Sequence, residues 1–334
     1  MRYLGSKAKL TTFIDSVVSI CESKINKKRK IKFTDLFAGS GKVSEYYKNH
    51  FEVTANDLEF YSFVTLTNIL QNDSSVARSV DGYLDFMNRC LGKAGFITES
   101  YSPVGDRLFF TEENARIIDE AVGYVYEMRQ LCLLDENQFY YLLGCVLEAV
   151  DRVSNTAGHY SAYLKHVTPQ AQQRIRFEHI PLGELKNRSN RVMSLDANEA
   201  MAVVKGDILY LDPPYTFNYS SRYSLLNTIL KNDKPEIKGV TGRRQDSHKS
   251  PWSNPGKAAD LLDDLLQKAD FRFVVMSYSG DSVMSSEAVA DVFSSNGKYS
   301  LYTHQHQRYK SRKDADSAPL VVTEYLHVLD KKAA

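Results

Sequence analysis

Residues 31–41 read Ile-Lys-Phe-Thr-Asp-Leu-Phe-Ala-Gly-Ser-Gly, a short apolar run that ends in two glycines. The run has the composition of a buried strand, and the next segment, 42–50, has the pattern of a short helix. Residues 51–55 then predict a second strand and 58–71 a second helix. This strand–helix–strand order is typical of a parallel sheet with crossover helices.

The alternation stops after residue 72 and resumes near residue 191. Between 73 and 190 the apolar spacing is mostly helical, with Thr111 and Asp135 as predicted helix N-caps. The remaining predicted elements are a helix at 8–22, strands at 192–195, 207–211 and 271–277, a helix at 256–268, and a closing antiparallel pair at 299–307 and 320–329. The sequence therefore predicts an α/β sheet interrupted by a helical insertion.

The composition is that of a globular protein, with 334 residues of which 43% are hydrophobic and 25% charged. This length favours one catalytic domain with a substantial insertion. No apolar run approaches the roughly 20 residues that span a bilayer, and the N-terminal segment lacks a signal-peptide core. The 4 cysteines contain no Cys-x-x-Cys pair. We therefore expect a cytoplasmic protein with reduced cysteines and no metal site.

The formal net charge is only +1, which leaves a nucleic-acid partner open, because such binding needs a local basic face and not a basic total. Basic side chains gather at 24–32, 243–249 and 308–313. The alternative for each cluster is a solvated loop between elements, which is favoured for 24–32.

The two glycines after the first strand suit close approach of a ligand to the backbone, at a helix start that presents free N–H groups. The segment lacks the Gly-x-Gly-x-x-Gly of dinucleotide sites, and no Lys-Ser/Thr follows, as a phosphate-binding Walker loop would require. Asp57 ends the second strand, where an acid can hold ribose hydroxyls. A plain turn remains the alternative.

Residues 209–215, Leu-Tyr-Leu-Asp-Pro-Pro-Tyr, place an acid, two prolines and an aromatic at a predicted strand end. Ligands of α/β sheets bind at such ends. Asp212 and the Pro213 carbonyl, with Pro214 fixing the backbone, can accept hydrogen bonds from an exocyclic amine such as adenine N6 and free its lone pair. Tyr215 offers a ring on which a flipped base stacks. The alternative is a rigid surface turn.

The chain resembles the Dam-like, D12-class N6-adenine DNA methyltransferases, whose motifs run in the alpha order. The matching motifs are an N-terminal cofactor motif at 3–7, the glycine loop at 33–41 and the catalytic motif at 210–215. Further similar stretches lie at 110–115, 154–165, 219–226 and 308–312. Ser277-Tyr278 corresponds to a late motif beside the target base.

The resemblance implies a Rossmann-like fold that uses S-adenosyl-L-methionine, with 1–72 and 191–334 as the catalytic domain and 73–190 as a target-recognition insertion. The residues implied in cofactor binding are Tyr3, Gly5, Lys7, Asp35, Phe37, Gly39, Gly41, Asp57 and Asp196. The candidate DNA-binding residues are Asn218, Arg222, Arg243, Arg244 and Lys165. The loop arginines suit guanine or phosphate equally well.

The resemblance implies methyl transfer to N6 of a flipped adenine in double-stranded DNA. The enzyme would be the modification half of a restriction system, with a separate cognate endonuclease, or a stand-alone methylase. The alternatives are a cytosine-N4, RNA or protein-glutamine methyltransferase, or a DNA-binding relative without catalysis. Asp212 in place of Ser or Asn, the motif order and the long insertion favour adenine in DNA. The intact motifs argue against loss of catalysis.

Overall fold

The computed structural model describes residues 7–26, 28–214, 219–247, 250–279, 282–307 and 321–332. The strands in these ranges are β1 (Lys32–Asp35), β2 (Glu52–Asn56), β3 (Arg191–Met193), β4 (Lys205–Leu211), β5 (Ile237–Lys238), β6 (Arg243–Arg244), β7 (Asp270–Ser279), β8 (Lys298–Gln307) and β9 (Val321–Asp330). Seven of them form one sheet in the order β3-β2-β1-β4-β7-β9-β8, and β5 pairs only with β6. This confirms the predicted α/β sheet.

The sheet is parallel from β3 to β7, and β9 is antiparallel to both of its neighbours, β7 and β8. The chain adds strands on one side of β1 and then returns to add β4 on the other side. The strand order therefore reverses between β1 and β4. In open α/β sheets this reversal creates a crevice at the carboxyl ends of the strands, where ligands bind.

Helices cover the sheet and build the insertion. They are α1 (Thr11–Ser23), α2 (Lys42–Tyr47), α3 (Phe60–Leu70), α4 (Ser74–Ser79), α5 (Asp81–Arg89), α6 (Phe96–Tyr101), α7 (Glu112–Gln130), α8 (Glu136–Val153), α9 (Ala197–Ala200), α10 (Tyr219–Arg222), α11 (Ser224–Lys231), α12 (Ala258–Lys268) and α13 (Ser286–Ser295). Short 3-10 turns lie at Lys7–Lys9, Pro103–Gly105 and Pro251–Ser253. No helix in the described ranges is long and apolar enough to span a membrane.

Strand β4 shows how the two faces of the sheet are filled. Ile208 and Tyr210 point to a core that includes α1 and α2, whereas Leu209 and Leu211 point to the core under α12 and α13. This alternation follows from the two-residue period of a strand. All four side chains are buried, which explains the continuous apolar run before the catalytic motif.

The helical insertion shares its core with helices that flank the sheet. Leu142 of α8 lies in one cluster with Tyr61 and Val64 of α3 and with Leu226 and Ile229 of α11. Helix α3 follows β2, and α11 follows the catalytic motif. The insertion is therefore packed directly on the elements that carry the site.

The prediction of helix across 73–190 is correct for the first part only, because 154–190 contains neither a helix nor a strand. Side-chain amides bind the backbone of this segment. Asn155 donates to the carbonyls of Leu108 at 2.9 Å and Leu164 at 3.1 Å, and it accepts from Thr168 N–H at 3.1 Å. Such side-chain bonds replace the hydrogen bonds of regular structure.

The predicted helix starts of the insertion are confirmed. Thr111 accepts from the N–H of Asn114 at 3.2 Å at the start of α7. Asp135 and Gln138 form a complete capping box at the start of α8. These caps satisfy N–H groups that have no partner inside the helix.

Candidate functional site

The glycine loop lies between β1 and α2, at the crevice. Gly39 and Gly41 both have left-handed φ angles, +52° and +72°. A Cβ on Gly41 would lie 2.8 Å from Ile69 Cδ1, so the turn has no space for a side chain there. The loop therefore needs glycine at position 41 both for its conformation and for its packing on α3.

Asp57 fastens the end of β2 to this loop. Its Oδ2 accepts from the Gly39 backbone N–H at 2.7 Å, and its Oδ1 accepts from the Glu59 N–H at 2.9 Å. Burial raises the pKa of Asp57 to about 7, although these two bonds lower it. Each oxygen keeps a further lone pair for a ligand hydroxyl.

Asp35 ends β1 and is almost completely buried. Its Oδ2 accepts from the Ser44 hydroxyl at 2.7 Å, and its Oδ1 has no hydrogen-bond partner among the described residues. Burial raises the pKa of Asp35 to about 7, with smaller contributions from the nearby Asp212 and Asp57 carboxylates. A buried acceptor without a donor is costly, so this oxygen suits a cationic or N–H ligand group.

Asp212 directly follows β4, the strand that pairs with β1, and its charge acts on Asp35. Lys7, from the first 3-10 turn, places its ammonium 3.1 Å from Asp212 Oδ1 and 2.8 Å from Glu324 Oε1. Lys7 and Glu324 are buried, and the side chain of Asp212 is 17% exposed. The structure thus places a cation between two carboxylates beside the catalytic motif.

The charge state of Asp212 reflects this surrounding. Burial raises the pKa of Asp212 to about 6, Lys7 lowers it and Glu324 raises it further. Burial disfavours the charged form of a carboxyl, whereas a neighbouring cation favours it. Asp212 is consequently ionised at neutral pH, where it can accept hydrogen bonds, and it takes up a proton at slightly acidic pH.

The segment after the catalytic motif returns to the glycine loop. Trp252 is buried, and its ring meets Phe37 edge-on with centroids 5.2 Å apart. On the neighbouring strand β7, Ser277 and Tyr278 are also buried, and the Tyr278 hydroxyl accepts from Met284 N–H at 3.2 Å. Tyr278 is therefore held inside the protein by the segment before α13.

A second link joins the end of β2 to α11. Asn227 donates from its amide to the buried carboxylate of Glu59 and accepts from the Tyr61 N–H at 2.9 Å. Tyr61 stacks on Tyr223, with ring centroids 4.6 Å apart. The helix behind the catalytic motif is thereby fixed to the segment that carries Asp57.

Asp196 lies at the same edge of the sheet, beyond β3. It caps α9 by accepting from Asn198 N–H at 2.9 Å. The next residue back, Leu195, exchanges two hydrogen bonds with the Asn56 side chain at the end of β2, at 3.0 Å each. Asp196 is therefore on the β2 side of the crevice, away from Asp212.

The candidate DNA-binding residues divide by exposure. Lys165 and Arg243 are exposed, and Arg222 is half-buried. Arg244 differs from the expectation because it is buried between Asp233, at 2.7 Å, and Asp246, at 2.8 Å. Two carboxylates already bind its guanidinium, so Arg244 stabilises the β5–β6 hairpin and has few donors left for another partner.

Several predicted residues lie outside the described ranges. These are Tyr3, Gly5, Tyr215, Asn218 and the basic stretch 308–312. Pro213 and Pro214 are described and directly follow Asp212. In the part of the chain that is described, no cluster of His, Cys, Asp or Glu side chains could hold a metal ion.

Sequence reasoning missed four polar side chains of the site, namely Ser44, Glu59, Asn227 and Glu324. Glu324 carried the clearest signal, as an acid inside the apolar strand prediction 320–329. Unpaired acids are rare in buried strands. Its partner, 317 positions away in the chain, could not be read from the sequence.

A family model described as D12 class N6 adenine-specific DNA methyltransferase matches residues 3–288. The type II methyltransferase M.NlaIII from Neisseria lactamica is 33% identical, over 99% of this chain and 99% of its own length. M.CviAII from Paramecium bursaria Chlorella virus 1 is 33% identical, over 93% of each chain. M.FokI from Planomicrobium okeanokoites is 32% identical over 100% of this chain, which spans 53% of that relative.

Proposed function

The chain belongs to the D12 class of N6 adenine-specific DNA methyltransferases, and we propose that it is a site-specific modification enzyme acting on a flipped adenine in double-stranded DNA. S-adenosyl-L-methionine is the methyl donor, and it supplies a methyl group on a positively charged sulfur. The observation that carries the proposal is that Asp35 ends β1 and Asp212 directly follows β4, the two neighbouring strands between which the strand order reverses.

The crevice fits this cofactor. Asp35 has a buried oxygen without a described partner, which suits the ammonium of an amino acid. Gly39 and Gly41 place no side chain at two positions of the loop, and Asp57 lies at the end of β2, where an acid reaches ribose hydroxyls. On this proposal Phe37 and Asp196 line the cofactor, and Lys7 with Tyr3 and Gly5 lies at its methionine end.

Asp212 and the Pro213 carbonyl would accept the two N–H bonds of the adenine amine. These bonds draw the nitrogen towards a tetrahedral shape and free its lone pair, which attacks the methyl carbon. Pro213 and Pro214 restrict φ and so hold the carbonyl in direction. Tyr215 would stack on the flipped base. The gain comes from alignment and from acceptors that are already in place.

The DNA would lie along the insertion 73–190 and the loop 216–255. Lys165, Arg243, Arg222 and Asn218 are the proposed contacts in these segments. Arg243 is exposed on the β5–β6 hairpin, which Tyr101 and Arg107 fasten to the insertion through the carbonyls of Gly242, at 2.7 Å, and Val240, at 3.0 Å. Because the hairpin is already fixed to the insertion, it would lose little conformational entropy on binding DNA, which favours affinity.

We further propose a role in restriction–modification, with a cognate endonuclease as a separate protein. Three relatives that match most or all of this chain carry type II methyltransferase names. A modification enzyme of this kind protects the sites that its endonuclease cuts. The catalytically silent alternative is disfavoured because Lys7, Asp35 and Asp212 are all in place.

The test is to express the protein in a host without DNA methylases and to sequence the DNA with detection of modified bases. We expect N6-methyladenine within one short motif and none with Asp212→Ala. N4-methylcytosine in the same assay would support the cytosine alternative. Unmodified DNA from cells that contain folded protein would refute the proposal.

A further inference from the structure

Glu324 reaches the catalytic motif from the last described strand. It lies in β9, where it pairs with Ser279 of β7 on one side and with His304 of β8 on the other. Its carboxylate is buried and meets the Lys7 ammonium at 2.8 Å. The two flanking strands give Glu324 a fixed position. The family model ends at residue 288, so this position lies outside the matched stretch.

Among the described residues, the Lys7 ammonium lies near two carboxylates at similar distances, Asp212 at 3.1 Å and Glu324 at 2.8 Å. A lysine paired with Asp212 alone would direct its whole charge to that carboxylate. Coulomb energies rise steeply in a desolvated site, so a fully paired carboxylate is a poorer acceptor for a neutral amine. Because Glu324 also binds the Lys7 ammonium, the interaction of Lys7 with Asp212 is weaker.

We infer that Glu324 is a positioning residue for methyl transfer, which shares Lys7 with Asp212 and so keeps the Asp212 carboxylate available to the target amine. The inference rests on the proposed function. Lys7, Asp212 and Glu324 together carry one net negative charge when ionised. On the proposed function, that excess charge would lie beside the amine on which positive charge develops.

The reaction requires such a charge. As the N6 lone pair forms the new N–C bond, the S–C bond breaks and its electron pair stays on sulfur, so the positive charge moves to N6. One N6 proton then leaves to the Asp212 carboxylate and from there to solvent. Negative charge fixed beside N6 stabilises this change in the transition state.

The charged groups around Asp212 determine the direction in which its pKa should change in each variant. Lys7 lowers its pKa and Glu324 raises it, while Asp35 on β1 and Tyr210 on β4 also interact with its charge. Removing the charge of Glu324 should therefore lower the pH at which Asp212 loses its proton. Removing the charge of Lys7 should raise it. If Glu324 had only a structural role, its replacement would not shift the pKa of Asp212 in the direction opposite to replacement of Lys7.

The experiment measures single-turnover methyl transfer from about pH 5 to about pH 8.5, with DNA and cofactor saturating, for wild type, Glu324→Gln, Lys7→Gln and Asp330→Asn. We expect the acid limb of the pH–rate profile to move to lower pH by about one unit in E324Q and to higher pH by a similar amount in K7Q. The plateau rate of E324Q should fall roughly tenfold. Asp330, at the far end of β9, is the matched control and should keep the wild-type limb.

A second readout does not need activity. The carboxyl carbon of Asp212 is followed by carbon-13 NMR in the protein without cofactor, and its signal is assigned by its loss in Asp212→Asn. It should titrate at lower pH in E324Q. An unshifted carboxyl signal, an unshifted acid limb in E324Q, or a shift of equal size in D330N would overturn the inference. Wild-type protein that modifies no adenine would refute the proposed function instead, because the NMR titration still tests the coupling.

Discussion

Ser44 donates to one oxygen of Asp35 at 2.7 Å, and the other oxygen of Asp35 stays buried without a partner among the described residues. The bond joins the end of β1 to the first turn of α2. It restricts rotation of the carboxylate, so that the second oxygen keeps one orientation. Asp35 is therefore a preformed acceptor whose proton must leave before a cation can bind.

Cofactor affinity should consequently depend on pH. The pKa of Asp35 is about 7, so below this pH the ammonium of S-adenosyl-L-methionine has to displace a proton. We expect the dissociation constant to rise roughly tenfold for each pH unit between about pH 7 and pH 5.5. Calorimetry measures it directly. Asp35→Asn should bind weakly at every pH with a flatter slope, and an equal slope in this variant would exclude Asp35 as the titrating group.

Gly41→Ala should destabilise the protein and weaken cofactor binding. The φ of +72° strains an L-residue, and the new Cβ would meet Ile69 and Leu66 at 2.8 and 2.9 Å. We expect a loss of about 1–3 kcal/mol in the free energy of unfolding. Gly123→Ala in α7 is the control, because its Cβ meets nothing within 4 Å and should stabilise the helix. Equal melting shifts in both variants would contradict the prediction.

Asp212→Ala should abolish methyl transfer while the protein still binds its cofactor. The change removes the acceptor of the target amine but leaves Asp35, Gly39 and Asp57 in place. We expect a rate loss of at least about a hundredfold. Transfer of a labelled methyl group measures the rate, and calorimetry measures binding. A variant that retains near wild-type turnover would remove Asp212 from the mechanism.

Arg243 and Arg244 should respond differently to replacement by alanine. Arg243 is exposed, so R243A should weaken DNA binding and reduce its salt dependence without changing the melting temperature. Arg244 is buried with Asp233 and Asp246. R244A should cost roughly 1–3 kcal/mol of folding stability because it removes charge-assisted hydrogen bonds and buried packing, while water can solvate the two partly exposed carboxylates. DNA titrations at several salt concentrations and thermal melts of both variants test the prediction.

Burial of His327 should make the folded protein less stable in acid. It is buried in β9, with Nδ1 at 2.9 Å from the Tyr299 hydroxyl, and burial lowers its pKa to about 4. The unfolded chain takes up a proton near pH 6.5, whereas the folded protein does not until about pH 4. The free energy of unfolding therefore falls as pH drops through this window, by roughly 3 kcal/mol.

His327→Phe should remove this part of the pH dependence, because phenylalanine keeps the ring contact with Tyr299 and has no titrating group. Denaturant unfolding at several pH values measures the slope in both proteins. The difference between them is the informative quantity, since other groups titrate in the same range. Parallel curves for wild type and variant would show that His327 does not titrate on unfolding.

Much of the site was predictable from local sequence. The glycine loop and the catalytic motif follow apolar strands, and side-chain period and turn chemistry depend on near neighbours alone. The structure has β1 and β4 where the motifs required them, and it confirms both predicted caps in the insertion. The irregular structure of residues 154–190 was not predictable, because Asn155 bonds to the carbonyls of Leu108 and Leu164, which lie 47 and 9 positions away in the chain.

The fold class and the reaction class could be inferred from the sequence, because each motif and each element depends on residues that are close together in the chain. Which charges meet could be seen only in the folded protein. It placed Glu324 against Lys7 and buried Arg244 between two acids. The physical reason is that electrostatic energies depend on distance and burial in space, and strand order in the sheet, not separation in sequence, sets both.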